Sequence, residues 1–218
     1  MNIGIIDYGA GNVRSVAKLL DRLGVKNIIS KAHEDLVSCD GLILPGVGAF
    51  GAAMKKLGES NLDLWLRDQV LINRQPILGI CLGMQLFASQ SDESPDVSGL
   101  SFIRAKVCRL DPGKETDNIG RPYYIPHIGW NSINWKKEAF LFTGVPNDSD
   151  FYFANSYHVV CESDADIVGI SNYGDSSFVT AINHKNIFGV QFHPEKSQKF
   201  GRQVVKNFLG SLGMNNKC

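Results

Sequence analysis

The chain has 218 residues, a length that suggests one sizeable domain or two small ones, and its 44% hydrophobic and 20% charged content is ordinary for a soluble globular protein. Its 22 basic residues balance 22 acidic ones, so composition lends no support to nucleic-acid binding, which usually shows a basic surplus. No apolar run reaches the roughly 18 to 20 residues of a membrane span, and the opening MNIGIIDYGAGN lacks the basic leader and cleavage site of a secretory signal.

The first ninety residues alternate between two periods. NIGIID (2–7) reads as a buried strand. NVRSVAKLLDRLG (12–24) carries Val13, Val16, Leu19, Leu20 and Leu23 at helical spacing and ends on Gly24. VKNIIS (25–30) and GLILP (41–45) read as strands, AAMKKLG and NLDLWLRDQVLIN as helices. PILGI (76–80) is a further strand, and LGMQLFASQS (82–91) returns to helical spacing. Strands alternating with helices indicate βαβ units and a parallel sheet. The unbroken apolar strands imply helices on both sheet faces.

Beyond residue 91 the pattern changes. SDESPDVSG and LDPGKETDNIGRP are loop-like, and SFIRAKVCRL, SINW, FYFANSYHVVCE, DIVGISNYG, SFVTAINH and NIFGVQFH are short β-rich pieces. INHKNIFGV reads as a hairpin, and KFGRQVVKNFLGSLG closes the chain as a helix. With no repeat or clean linker, the expectation is a single α/β domain over 1–218. Its sheet is open, mixed and largely parallel, flanked by helices, with a β-rich C-terminal half.

Gly79-Ile80-Cys81-Leu82-Gly83 has the form G-x-C-x-G at a strand-to-helix junction. Glycines there remove Cβ atoms that would collide as strand and helix fold back, and the exposed residue between them is the nucleophile of an elbow. Unpaired N–H groups at the helix start favour the thiolate. The Leu82 N–H is placed to bind an oxyanion. A core cysteine packed between glycines remains an alternative for the motif alone. The other cysteines (39, 108, 161 and 218) are scattered and form no CxxC pair, so reduced thiols, a cytoplasmic location and no bound metal are expected. GVGAFG (46–51) matches the dinucleotide fingerprint, but it does not follow the first strand and Pro45 precedes it. Backbone N–H groups of PGVG aimed at developing negative charge are the better use.

Among the five histidines, His33 and His184 sit in polar, loop-like settings and are expected to be solvated. His158 reads as a core residue. His193 closes the strand FGVQF and precedes Pro194 and Glu195. Residues two apart in an extended segment project to one side, so Glu195 can orient His193 and stabilise its charged form. A surface turn is the alternative for HPE alone. Cys81 and His193 both end expected strands, where open α/β sheets bind ligands.

GICLGMQ together with QFHPE resembles the class I, triad-type glutamine amidotransferases. IDYGAGNVRSV, LPGVGAF, PHIGWN and FHPEKS are similar to one subgroup, the amidotransferase subunits of imidazole glycerol phosphate synthases, in the same order along nearly the whole chain. The resemblance implies that Cys81 attacks the glutamine carboxamide to form a thioester, that His193 shuttles protons and that Glu195 orients it. It implies an oxyanion hole from the Gly46-Val47-Gly48 strand and Leu82, glutamine held at Gly48, Gln85, Ser156 and Tyr157, and no cofactor. It also implies ammonia transfer to a (β/α)8-barrel cyclase that makes imidazole glycerol phosphate and AICAR. Direct transfer calls for a docking face near Cys81, for which Asn12, His127, Trp130 and Lys196 are the candidates, with core packing the alternative for Trp130. One departure is Asn155, where many relatives carry histidine. The competing readings are a glutaminase feeding a sugar-modifying amidase, a stand-alone Cys-His hydrolase and a non-catalytic binding module.

Overall fold

The structure is a computed structural model and describes residues 1–135 and 139–213, so Cys218 lies outside the described residues. Apolar strands that need cover on both faces organise its first half. Strands β1 (Asn2–Ile6), β2 (Lys26–Ser30), β3 (Gly41–Gly46) and β4 (Ile77–Cys81) run parallel. Helices α1 (Val13–Arg22), α2 (His33–Leu36), α3 (Phe50–Glu59) and α4 (Leu62–Arg67) connect them, and a π-helical turn over Asp68–Ile72 follows α4. A four-residue helix α5 (Leu82–Gln85) follows β4 directly.

The second half adds β5 (Gln90–Ser91), β6 (Ala105–Arg109), β7 (His127–Trp135), β8 (Ser149–Asn155), β9 (Tyr157–Cys161), β10 (Ile167–Tyr173), β11 (Ser176–His184), β12 (Ile187–Val190) and helix α6 (Gln198–Leu212). The large sheet has nine strands in the order β2-β1-β3-β4-β12-β11-β10-β7-β8. The hairpin expected at INHKNIFGV forms, with Lys185 at φ 55° in its turn, and it returns β12 parallel to β4. One hydrophobic cluster lies under α1 and α6, with Ile3, Ile5, Leu20, Val204 and Phe208. The other lies under α3, α4 and α5, with Ile6, Leu42, Leu44, Phe50, Leu57 and Leu66. Alternate residues of β1 thus feed opposite faces.

Three expectations need correction. The helical reading of 82–91 stops at Gln85. The carbonyls of Leu86, Phe87 and Ala88 accept instead from the N–H groups of Leu100, Phe102 and Ser101, so a second chain segment replaces the helix. The β-rich piece FYFANSYHVVCE does form strands, β8 in the large sheet and β9 in a separate three-stranded sheet ordered β5-β6-β9. His33 is not free in solvent but stacks on Trp65, centroids 5.1 Å apart. His184 pairs with Asp166 at 2.8 Å.

Gly83 separates α5 from β3, and a Cβ there would collide with the Leu44 carbonyl oxygen. Gly58 is exposed in α3, and its Cβ would meet nothing nearer than an Asp63 oxygen at 3.9 Å. The two helical glycines therefore predict opposite outcomes in chemical denaturation. Gly83→Ala should destabilise by about 3 kcal/mol or more through overpacking. Gly58→Ala should stabilise by about 0.5–1 kcal/mol through helix propensity.

Candidate active site

Parallel strands β3, β4 and β12 end together, and the site is built on those ends. Cys81 is the last residue of β4, opposite Gly46 of β3, at φ 56° and ψ −111°. That conformation is unfavourable for a residue with a side chain and costs about 1–3 kcal/mol. Its neighbours explain how it persists. A Cβ on Gly79 would stand 2.7 Å from the Met84 N, and Gly83 touches β3, so the turn closes only with glycine at both positions.

Three groups approach the Cys81 sulfur. Gln191 Nε2 lies 3.6 Å away, and the Ala154 carbonyl oxygen 4.0 Å. The His193 imidazole is within hydrogen-bonding reach. His193 Nδ1 is 2.9 Å from Glu195 Oε1, with the two side chains 4% and 2% exposed. The backbone holds this pair from several sides. The His193 N–H donates to the Tyr152 carbonyl at 2.8 Å, its carbonyl accepts from Ser197 Oγ at 2.7 Å, and Pro194 opens a single 3-10 turn over Pro194–Lys196. Burial by itself lowers the His193 pKa. Hydrogen bonds and charge from Cys81 and Glu195 outweigh it and push the value up to about 10.

These side chains open onto a cavity of about 280 Å³, sized for an amino acid rather than a dinucleotide. Val47, Gly48, Leu82, Gln85, Ser156, Tyr157 and Lys196 line it, as do Glu93, Pro126, Ala154 and Asn155. Gly48 has φ 97° and open space around it, consistent with a backbone that approaches a ligand. Gly46 does not line the cavity, and a Cβ on it would stand 2.7 Å from the Gly83 N and 2.8 Å from the Tyr8 hydroxyl. Gln85 Nε2 donates to the Tyr157 carbonyl at 2.8 Å and to Gln191 Oε1 at 3.0 Å. A larger depression, about 840 Å³, lies at the opposite end of the sheet around Gln75, Pro76 and Asn186, away from this chemistry. Among the described residues, no cluster of His, Cys, Asp or Glu is arranged to hold a metal ion.

Of the four docking candidates, Trp130 is 48% exposed and edge-on to Tyr152, and the Lys196 Nζ lies over the Tyr152 ring, 5.1 Å from its centroid. Asn12 immediately precedes α1 and is half-buried. His127 does not belong with them. It is 5% exposed, its ring stacked on Tyr173 and Phe153 at 4.2 and 5.5 Å, and burial pushes its pKa down to about 4. The even spacing of β7 turns Ile128 and Trp130 outward and His127 inward.

Sequence alone does not single out Glu93. It sits in SDESPD, which reads as plain loop, yet its Oε2 accepts from the Phe50 N–H at 2.7 Å at the start of α3. An acidic residue paired to the helix after PGVG was the available signal, but only the folded chain brings the two together.

The family model for class-I glutamine amidotransferase matches residues 4–212. The chain belongs to the class-I glutamine amidotransferase family. It is 44% identical over 207 residues to the imidazole glycerol phosphate synthase subunit HisH 1 of Campylobacter jejuni, covering 95% of this chain and 98% of that protein. It is 43% identical to HisH of Methanocaldococcus jannaschii, covering 96% and 100%. Within the family it falls in the HisH group. Among solved structures, a glutamine amidotransferase superposes with a TM-score of 0.73 at 19% identity, over 97% of this chain and 98% of that one. PurLQS from Thermotoga maritima gives 0.68 at 16%, over 97% and 98%. Both likenesses concern the fold.

The His193 electrostatics have a definite sign. Its folded pKa lies above the ordinary 6.5, so the stability it contributes is complete below about pH 6.5 and is lost as pH rises through about 10. Long-range 1H–15N NMR should find the ring doubly protonated at pH 8. Glu195→Gln should lower its midpoint by at least about one unit. A midpoint at or below the ordinary value in the unmodified protein would contradict this account.

Proposed function

We propose that this chain is the glutaminase subunit of imidazole glycerol phosphate synthase, acting as one domain over 1–218. It hydrolyses glutamine to glutamate and ammonia and passes the ammonia to a cyclase subunit in histidine biosynthesis. The observation that carries the chemistry is a single cavity in which Cys81 meets His193, and His193 meets Glu195. The four described cysteines are unpaired, which supports a cytoplasmic setting.

The geometry supports the following sequence of steps. Glu195 occupies Nδ1 of His193, which leaves Nε2 for Cys81 and for substrate. The thiolate attacks the carboxamide carbon, and the carbonyl electron pair moves onto oxygen. The Leu82 N–H, at the start of α5, and the Val47-Gly48 backbone supply donors for that oxyanion. His193 gives its Nε2 proton to the amide nitrogen as the C–N bond breaks, releasing ammonia and leaving a glutamyl thioester. Water then gives a proton to His193 and adds to the thioester. Collapse of the adduct expels the thiolate and frees glutamate.

Gly48, Gln85, Ser156 and Tyr157 line the cavity, in support of their role in holding glutamine. The two hydrogen bonds of the Gln85 side chain use its Nε2, which leaves Oε1 to accept from substrate. Glu93 is a carboxylate on the same wall and suits the substrate α-ammonium. A docking face belongs to this reading because ammonia released to water at neutral pH is protonated and ceases to be a nucleophile. Trp130, Ile128 and Lys196 form an exposed patch of the mixed character that suits such a face, and a (β/α)8-barrel cyclase is the proposed partner.

Cys81→Ala should lower glutamine hydrolysis by about 10⁴-fold or more while thermal unfolding stays near the parent value. Retained hydrolysis would remove the mechanism. The isolated chain should be a weak glutaminase that rises sharply with the barrel cyclase and its ligand. Full activity alone, or coupling only to a sugar-amidating enzyme, would replace the partner.

A further inference from the structure

Gln191 lies one residue past β12 and is fully buried. Its side chain lies between Gln85 and Cys81, and its orientation follows from bonds at the far end of that chain. The Tyr157 carbonyl can only accept, so the Gln85 atom 2.8 Å from it is the amide nitrogen. The second hydrogen of that nitrogen meets the Gln191 oxygen at 3.0 Å. The Gln191 amide is thereby fixed the same way round, and its Nε2 faces Cys81 Sγ at 3.6 Å. Side-chain amides are ordinarily ambiguous by a flip, but here a backbone carbonyl removes the ambiguity through two links.

We propose that Gln191 is a hydrogen-bond donor to the Cys81 thiolate, held in its donating orientation by Gln85. The inference rests on the reading of Cys81 as the nucleophile. Sulfur accepts weakly as a thiol and more strongly as a thiolate, so a donor in this place favours the charged form. The sulfur is then stabilised from two directions, by the His193 imidazolium and by a neutral amide that does not titrate. The amide keeps its effect where a proton carrier must give its proton up. The same chain ties the sulfur to the cavity, because Gln85 lines the wall that receives substrate.

The test is the pH profile of Cys81 alkylation by iodoacetamide in the full chain, followed by mass spectrometry of the Cys81 peptide. The other titratable groups around the sulfur are His193 with Glu195 behind it, Tyr8 beyond β1, and Glu93 and Lys196 on the cavity wall. All of them are unchanged in Gln191→Met and Gln191→Glu. The midpoint should rise by about one pH unit in the Met variant and further in the Glu variant, whose carboxylate repels the thiolate. The value of kcat for glutamine should fall about tenfold with KM little changed. If the Met variant fails to fold, the nearly isosteric Glu variant carries the test. Wild-type midpoints in the folded variants, alongside normal glutamine hydrolysis by the parent, overturn the donor role alone. A parent that does not hydrolyse glutamine, or a Cys81→Ala variant that does, overturns the nucleophile reading and this inference together.

Discussion

Cys81 is displayed because two backbones touch. Where α5 turns back over the sheet, Gly83 rests on the Leu44 carbonyl and Gly79 on the Met84 N–H, leaving no room for a Cβ at either point. This approach forces Cys81 to φ 56°, which sends its side chain out of the strand's alternation and onto the start of a helix. Strain of about 1–3 kcal/mol is tolerable there because Leu78 and Ile80 before it and Leu82 and Met84 after it are fully packed. Every other element of the site is located relative to that turn. Gly46 pairs with Cys81 in register, and β12, paired to β4 on its other side, delivers His193 three residues beyond its end.

Two histidine–carboxylate pairs show how the same contact differs with its surroundings. His184–Asp166 measures 2.8 Å and His193–Glu195 2.9 Å, but the first has a histidine side chain 37% exposed and the second one 4% exposed. In water-accessible surroundings such a pair is worth little. Out of water, desolvation opposes both charges, and a buried pair is weak evidence of a stabilising role. Glu195 adds to that cost, since its Oε2 is buried without a partner. Retaining so unfavourable an arrangement beside a strained cysteine points to chemistry rather than to stability.

Much of this was legible because its physics is local. Uninterrupted apolar runs place β1, β3 and β4 within a residue of their observed ends, and the pair of glycines around Cys81 marks the turn without any tertiary information. His193 and Glu195 are two apart and do meet, but not along an extended backbone as the spacing suggests, because Glu195 lies in the 3-10 turn over Pro194–Lys196. What escaped reading depends on contacts distant in sequence. The helix over 82–91 fails because residues 99–103 take its carbonyls, and helical spacing in the segment itself contains no trace of that competitor. His127 and Trp130 share a motif with an aromatic, mixed character, yet strand parity sends one inward and the other outward, and that parity is decided by pairing with β8. Gln191 lies within a recognisable motif, but its contact with sulfur depends on an amide orientation set from Tyr157.

The break between β8 and β9 explains why one wall of the cavity is so compact. Asn155 is paired with His127 in the large sheet, and Tyr157 with Arg109 in the small one, so Ser156 alone makes the transition. All three residues line the cavity. A one-residue corner leaves its carbonyls outside both ladders, where they would be costly if buried unpaired. The Ser156 carbonyl is taken by the Leu110 N–H, and the Tyr157 carbonyl by both Gln85 Nε2 and Asn155 Nδ2. Asn155 therefore acts first on its own corner, through its side-chain amide donor. Because Gln85 shares that carbonyl, the placement of the small sheet is linked through one oxygen to Gln85 and, through Gln85, to Gln191, which faces the Cys81 sulfur.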